Sequence, residues 1–205
     1  NAGILELIKN GYSARDSQGI MLGSLRASIG ANEDLTSVTN ATTSALESYG
    51  LKTNNTAQNI KNAARVQDTF AAVANATKTS FTDLGEAFSI VGATAKSLGQ
   101  PIQVTAAAAI GELQSNGVDA STAANALKSG MVNLVKPTAQ MQASMKSMGL
   151  SVFDANGQMK PLPNIIAQIE KGTAGWTAKQ KEQALATIFG KESLASWNIL
   201  VNHGS

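Results

Sequence analysis

The sequence predicts an all-α fold, a multi-helix globular domain with one small β-hairpin insertion near 150–162. Two observations carry that prediction. Apolar residues recur at helical spacing, as in Leu84, Phe88, Val91, Ala95 and Leu98, the 4-3-4-3 stripe of a helix with one buried face. Gly, Pro and capping residues also punctuate the chain at intervals of one helix. Gly99 closes that stripe, Pro101 starts the next helix, Asn116-Gly117 ends it, Asp119 stands at an N-cap and Pro137 stops the following helix.

The elements follow in order. Asn1 to Lys9 is a short amphipathic helix closed by Asn10-Gly11, and Ser17 to Ile29 is a helix ending at Gly30. Glu33 to Tyr49 sets Leu35, Val38, Thr42, Leu46 and Tyr49 on one face, with Gly50 at C′. Ala57 to Thr77 aligns Ile60, Ala63, Val66, Phe70 and Val73. Leu84 to Leu98, Pro101 to Ser115, Ala120 to Val135 and Thr138 to Met148 come next, and Pro163 to Lys171, Ala178 to Phe189 and Lys191 to Asn202 complete the helices. Between Leu150 and Leu162, Ser151-Val152-Phe153 and Gln158-Met159-Lys160 flank Asp154-Ala155-Asn156-Gly157. Asn-Gly tolerates the positive φ of a tight turn, so this stretch reads as a hairpin packed on the helices. A faint repeat links Asn10-Gly11 to Asn116-Gly117, with a Ser or Asp cap after each. Two units are expected: an N-terminal helical segment over 1–50, packing with the rest, and a core over 51–205.

Composition narrows the function. The chain has 205 residues, a net charge of +2, 15% charged and 4% aromatic residues, and no Cys. So few aromatics imply a core made by close helix approach over small side chains. Clustered Lys and Arg, the mark of phosphate contacts, are absent, so direct nucleic-acid binding is not expected. Without Cys there is neither a disulfide nor a thiolate metal site. No apolar run approaches the ~18–20 residues that span a bilayer. The chain starts at Asn1 rather than Met, which reads as an excised part of a longer protein.

No catalytic set is visible, and no catalytic, cofactor-binding or metal-binding residues are expected. His203 is the lone histidine and nearly terminal. Gly190-Lys191-Glu192-Ser193 lacks the first Gly of a P-loop, since Leu185 stands there. Asp154-Ala155-Asn156-Gly157 puts its Gly too early for a calcium loop. Asp83 and Glu86 sit in a first helical turn, where negative charge answers the helix dipole. Asp68 lies beside an expected helix interface as a candidate buried acceptor, and Glu112 completes the acidic residues weighed. Met141, Met145 and Met148 make an i, i+4, i+7 stripe near Met131 and Met159, read as core with a possible contact role. Trp176 and Trp197 read as core anchors.

From Leu35 to Val201 the order of segments resembles the core region of phage tail tape measure proteins. The resemblance rests on SALESYGL, ARVQDTFAAVANA, SLGQPIQVTAAAAIGELQSNGVDASTAANALKSGMVNLVKPT, MKSMGLSVFDANGQMKPL and IFGKESLASWNIL. At AANALKSGM the chain departs from the Gly and basic pair that many members carry. The resemblance implies a non-enzymatic structural role, without cofactors, in a virion or prophage tail. The full-length protein is then expected to set tail length, occupy the tube lumen and leave with the DNA. Its implied partners are the tail-tube protein, tail assembly chaperones and tail-tip proteins, together with self-association, and its places are the phage tail and, during assembly, the host cytoplasm. The longest stretch free of Gly and Pro is Leu51 to Leu84, and elsewhere breaks come every 10 to 20 residues, so an extended rod is not expected and the segment reads as a folded part of the ruler. The alternatives are a membrane-active or secreted helical effector module and, more weakly, a cell-wall hydrolase domain.

Overall fold

Helix caps written into the sequence place nearly every element in the computed structural model, which describes residues 2–203. The helices are α1 (Ala2–Lys9), α2 (Ala14–Ala31), α3 (Leu35–Ser48), α4 (Thr56–Ala76) and α5 (Phe81–Ser97). A π-helical segment (Val104–Gly111) runs into α6 (Glu112–Ser115). Then follow α7 (Ala120–Val135), α8 (Ala139–Ser147), α9 (Leu162–Thr173), α10 (Ala178–Phe189) and α11 (Leu194–His203). Ser13 and Ser80 close capping boxes with Asp16 and Asp83, and Asp34, Asn55, Asp119, Thr138 and Thr177 cap the other N-termini.

Gly99 and Gly117 lie at φ +71 and +85, the left-handed region that ends a helix. The turn after α1 repeats the turn after α6. Tyr12 N–H bonds Leu7 C=O at 3.0 Å and Val118 N–H bonds Leu113 C=O at 3.0 Å, and Ser13 and Asp119 then cap the next helices. α2 runs past the expected stop at Gly30. Its C-cap is Asn32 at φ 54, a residue type that tolerates this conformation.

α3, α5 and α7 form the central row, with α4 behind α3 and α2 laid on α4. α8 and α11 both pack on α10, and α10 and α11 both meet α7. α11 also meets α6 and α9, and α9 meets the π segment. One buried cluster runs from Leu7 to Val201 and includes residues of both the 1–50 and 51–205 segments. Within it Phe70 is fully buried, 5.0 Å from Phe88 and 5.8 Å from Phe81 between ring centroids. The accessible surface is 9897 Å² for 21.1 kDa, near the ~9,000 Å² of a compact monomer of that mass.

Two expectations are corrected. The β-hairpin near 150–162 does not form as two strands, and the described residues hold no strand. Phe153 and Met159 make a single antiparallel bridge. Two backbone hydrogen bonds accompany it, Asp154 N–H to Gln158 C=O and Lys160 N–H to Val152 C=O, both at 2.8 Å, and around them side chains take further backbone groups, so no longer ladder forms. Ser151 N–H goes to Gln168 Oε1, Lys160 C=O accepts from Gln100 Nε2, and Asp154 Oδ1 accepts from the Asn156 and Gln158 amides. The helix expected from Pro101 to Ser115 is π-helical over most of its length. A π turn aligns residues five apart, and Thr105 and Ile110 are both fully buried.

Candidate functional site

The chemistry of this chain lies in how its helices meet. Small residues let backbones approach closely: a Cβ on Gly85 would stand 2.8 Å from the Cα of Ala41, so α5 rides directly on α3. Gly130 on α7 faces the Trp197 ring with no room for a side chain. Trp197 is fully buried, stacks on Phe189 at 3.8 Å and donates its indole N–H to Ala126 C=O at 3.1 Å.

A second set of residues, not anticipated from the sequence, ties elements together through polar groups. Glu33 accepts the Phe81 N–H on both carboxylate oxygens at 2.9 Å, capping α5 from a distant loop. Gln67 donates to Ile20 C=O at 3.2 Å and Ser24 Oγ at 3.0 Å, joining α4 to α2. Gln100 is 2% exposed, donates to Lys160 C=O at 3.1 Å and accepts from Leu162 N–H at 2.9 Å. Asn133 donates to Ile188 C=O at 2.8 Å. Tyr49 donates to Thr105 Oγ1 at 2.8 Å, and burial pushes its phenol up to about 12. Burial, with Glu47 and Asp16 nearby, likewise pushes Tyr12 up to about 12. No periodicity signals these pairs, because Gln and Asn in a polar run look alike whether they face water or a neighbouring helix.

The residues weighed as chemical candidates stand apart. His203 is exposed at the end of α11. Asp68 is exposed, contrary to the buried acceptor considered for it. It lines a groove of about 550 Å³ with Thr69, Ala72, Val73, Ala76, Thr77 and Gln103. The Thr69 and Thr77 hydroxyls there donate to helix carbonyls, which leaves the groove without an acid–base pair. Asp83 accepts from the Ser80 N–H at 3.1 Å in the α5 capping box, Glu86 is exposed, and Glu112 accepts from Asn116 Nδ2 at 2.9 Å.

Asp154 closes the 154–157 turn rather than a cation loop, and Gly190 at φ 80 ends α10. Met131, Met145, Met148 and Met159 are buried, Met141 is half-buried, and Trp176 lines a shallow groove between α8 and α10. Among the described residues no group of three or more His, Asp or Glu is placed to hold a metal ion, and no helix is long and apolar enough to cross a membrane.

Residues 1–190 match the family of phage-related minor tail proteins. The chain is 32% identical over 202 residues to a tape measure protein of Pneumococcus phage Dp-1, covering 98% of this chain and 17% of that protein. It is 28% identical over 146 residues to a probable tape measure protein of Escherichia phage P2, covering 69% of this chain and 18% of the relative. The chain thus spans less than a fifth of the length of either relative. No solved structure matches it.

Proposed function

This chain belongs to the phage-related minor tail protein family, and from that premise we propose that it is a folded helical block within a tail-length ruler. It is a structural tail protein of the tape measure kind. The observation that supports the block reading is the single buried cluster joining Leu7 to Val201 across the frequent helix breaks. In this reading 1–50 and 51–205 work as one unit, no residue is catalytic, and neither cofactor nor metal is used. The full-length protein sets tube length, lies in the tube lumen in several copies and leaves with the DNA. The tail-tube protein, assembly chaperones and tail-tip proteins are its partners. It is assembled in the host cytoplasm and carried in the virion.

An in-frame deletion of the block in a phage that encodes it tests the reading by electron microscopy of tails. A continuous helix of 205 residues would span about 300 Å at 1.5 Å each. The block reading expects failed or irregular tails rather than normal tails shortened by that length. Normal tails shorter by about 300 Å would show that the segment is read as length.

A further inference from the structure

Three Asn-Gly pairs stand in this chain, at 10–11, 116–117 and 156–157. Such a pair is open to attack of the glycine nitrogen on the asparagine side-chain amide, because glycine has no Cβ to hinder the approach. The attack needs the backbone around the asparagine to leave its folded geometry. The cost of local opening therefore decides which pair reacts.

The fold holds two of the pairs shut. Asn10 follows α1 and Asn116 ends α6. Their glycine amides bond back to Ile8 C=O at 2.9 Å and Gln114 C=O at 3.0 Å, and the next amides reach Leu7 and Leu113. Leu7, Tyr12 and Leu113 are buried, so opening either turn draws on the core. Side chains tighten both turns. Lys52 Nζ donates to Asn10 C=O at 2.6 Å, and Asn116 Nδ2, the group that must leave, donates to Glu112 C=O and Oε1, both at 2.9 Å. Asn156-Gly157 differs. Residues 153–158 are all exposed, and the Asn156 and Gly157 amides bond only within the turn, to Asp154 Oδ1 at 2.8 Å and Asp154 C=O at 3.1 Å. This turn can open while Val152 and Met159 stay buried on either side.

We propose that Asn156 is a self-modification site, converted by attack of the Gly157 nitrogen with water as the co-reactant. The bond from the Gly157 nitrogen to Asn156 Cγ forms as the Cγ–Nδ2 bond breaks, and ammonia leaves with the proton of the Gly157 amide. Water then opens the cyclic imide at either carbonyl. One product carries the new carboxylate on the side chain, and the other is an isoaspartate whose main chain is longer by a methylene. Both set a negative charge beside Asp154, whose Oδ1 holds the Asn156 and Gln158 amides, and like charges there push the turn open. The step needs no enzyme and changes the charge and backbone of the 150–162 segment as the protein ages.

Peptide mass spectrometry of the chain held at mildly alkaline pH reads the conversion, with a sample in urea as the unfolded reference. In urea the three pairs should react at similar rates. In the folded chain Asn156 should react roughly tenfold or more faster than Asn10 or Asn116, the factor that about 1.4 kcal/mol of opening cost supplies. Heavy-oxygen water should leave its label in the product at position 156, and hydrogen exchange at the Gln158 amide should quicken once Asn156 has reacted. Asn156→Gln, whose amide sits a carbon too far for the same ring, should show neither change. Asn10 or Asn116 reacting as fast as Asn156 in the folded chain overturns the proposal, and so does Asn156 left intact while the urea sample converts. The same preference for Asn156 in urea would assign the selectivity to sequence rather than fold and overturn it as well. Unchanged exchange at Gln158 after conversion overturns the opening of the turn.

Discussion

Position 130 is where one atom decides most. Trp197 occupies the space a Cβ would need, so Gly130→Ala should lower stability by roughly 1–3 kcal/mol despite alanine's better helix propensity. Urea unfolding checks it, and an unchanged midpoint would mean that the ring can move aside. Gly99 and Gly117 act through backbone conformation, since nothing stands near a Cβ at either position. Replacing either with Val should cost roughly 1–2 kcal/mol, because a β-branched residue resists positive φ.

Asp119 gives a pH signature at the same scale. Hydrogen bonds from Thr122, through its side chain and amide, and from Ser121 hold its carboxyl at about 2. Its pKa is depressed on folding, so its capping contribution is complete above the unfolded value near 4 and is lost as pH falls from there through about 2. Asp119→Ala should remove that part of the acid destabilisation, measured as a flatter dependence of melting temperature on pH below 4. A curve parallel to the parent's would contradict the cap.

At the scale of elements, Gln100 holds the 150–162 segment to the end of α5. Gln100→Ala strips a buried amide N–H and a carbonyl of their partners, Leu162 and Lys160. Hydrogen exchange should speed up in that segment, with a cost of roughly 1–3 kcal/mol. Exchange confined to other regions would show that the tie is idle. Phe88→Ala, packed between Tyr49 and Phe70, should cost roughly 3–5 kcal/mol. Asp68→Asn, Glu86→Gln and His203→Ala, all exposed, should change stability within about 0.5 kcal/mol. A melting series separates the two classes.

The helices were readable because caps and stripes are local. Asp119, Gly117 and the Leu84–Leu98 stripe carry their meaning within one or two turns. The 150–162 segment was misread because Asn156-Gly157 announces a turn but not whether a ladder follows, and distant Gln100 and Gln168 take the flanking backbone groups. α2 hid its orientation for a related reason. Leu22 and Leu25 mark an apolar face, yet both are exposed, and α4 demands close approach and takes the Gly and Ser side instead. At the candidate site, the absence of a catalytic set was an expectation of the sequence. The inter-helix ties of Glu33, Gln67 and Asn133 depend on tertiary pairing that no short spacing encodes.

For the whole molecule the account rests on one claim: the segment is a folded block of packed helices, not a length of rod. Small-angle scattering of the isolated chain, extrapolated to zero concentration so that self-association drops out, measures this directly. A compact chain of 205 residues has a radius of gyration of about 17 Å. The surface of 9897 Å² places this protein near that value, and the account predicts a radius of about 17–20 Å. A continuous helix of about 300 Å would instead give a radius near 90 Å, and a value of that order would contradict the folded block.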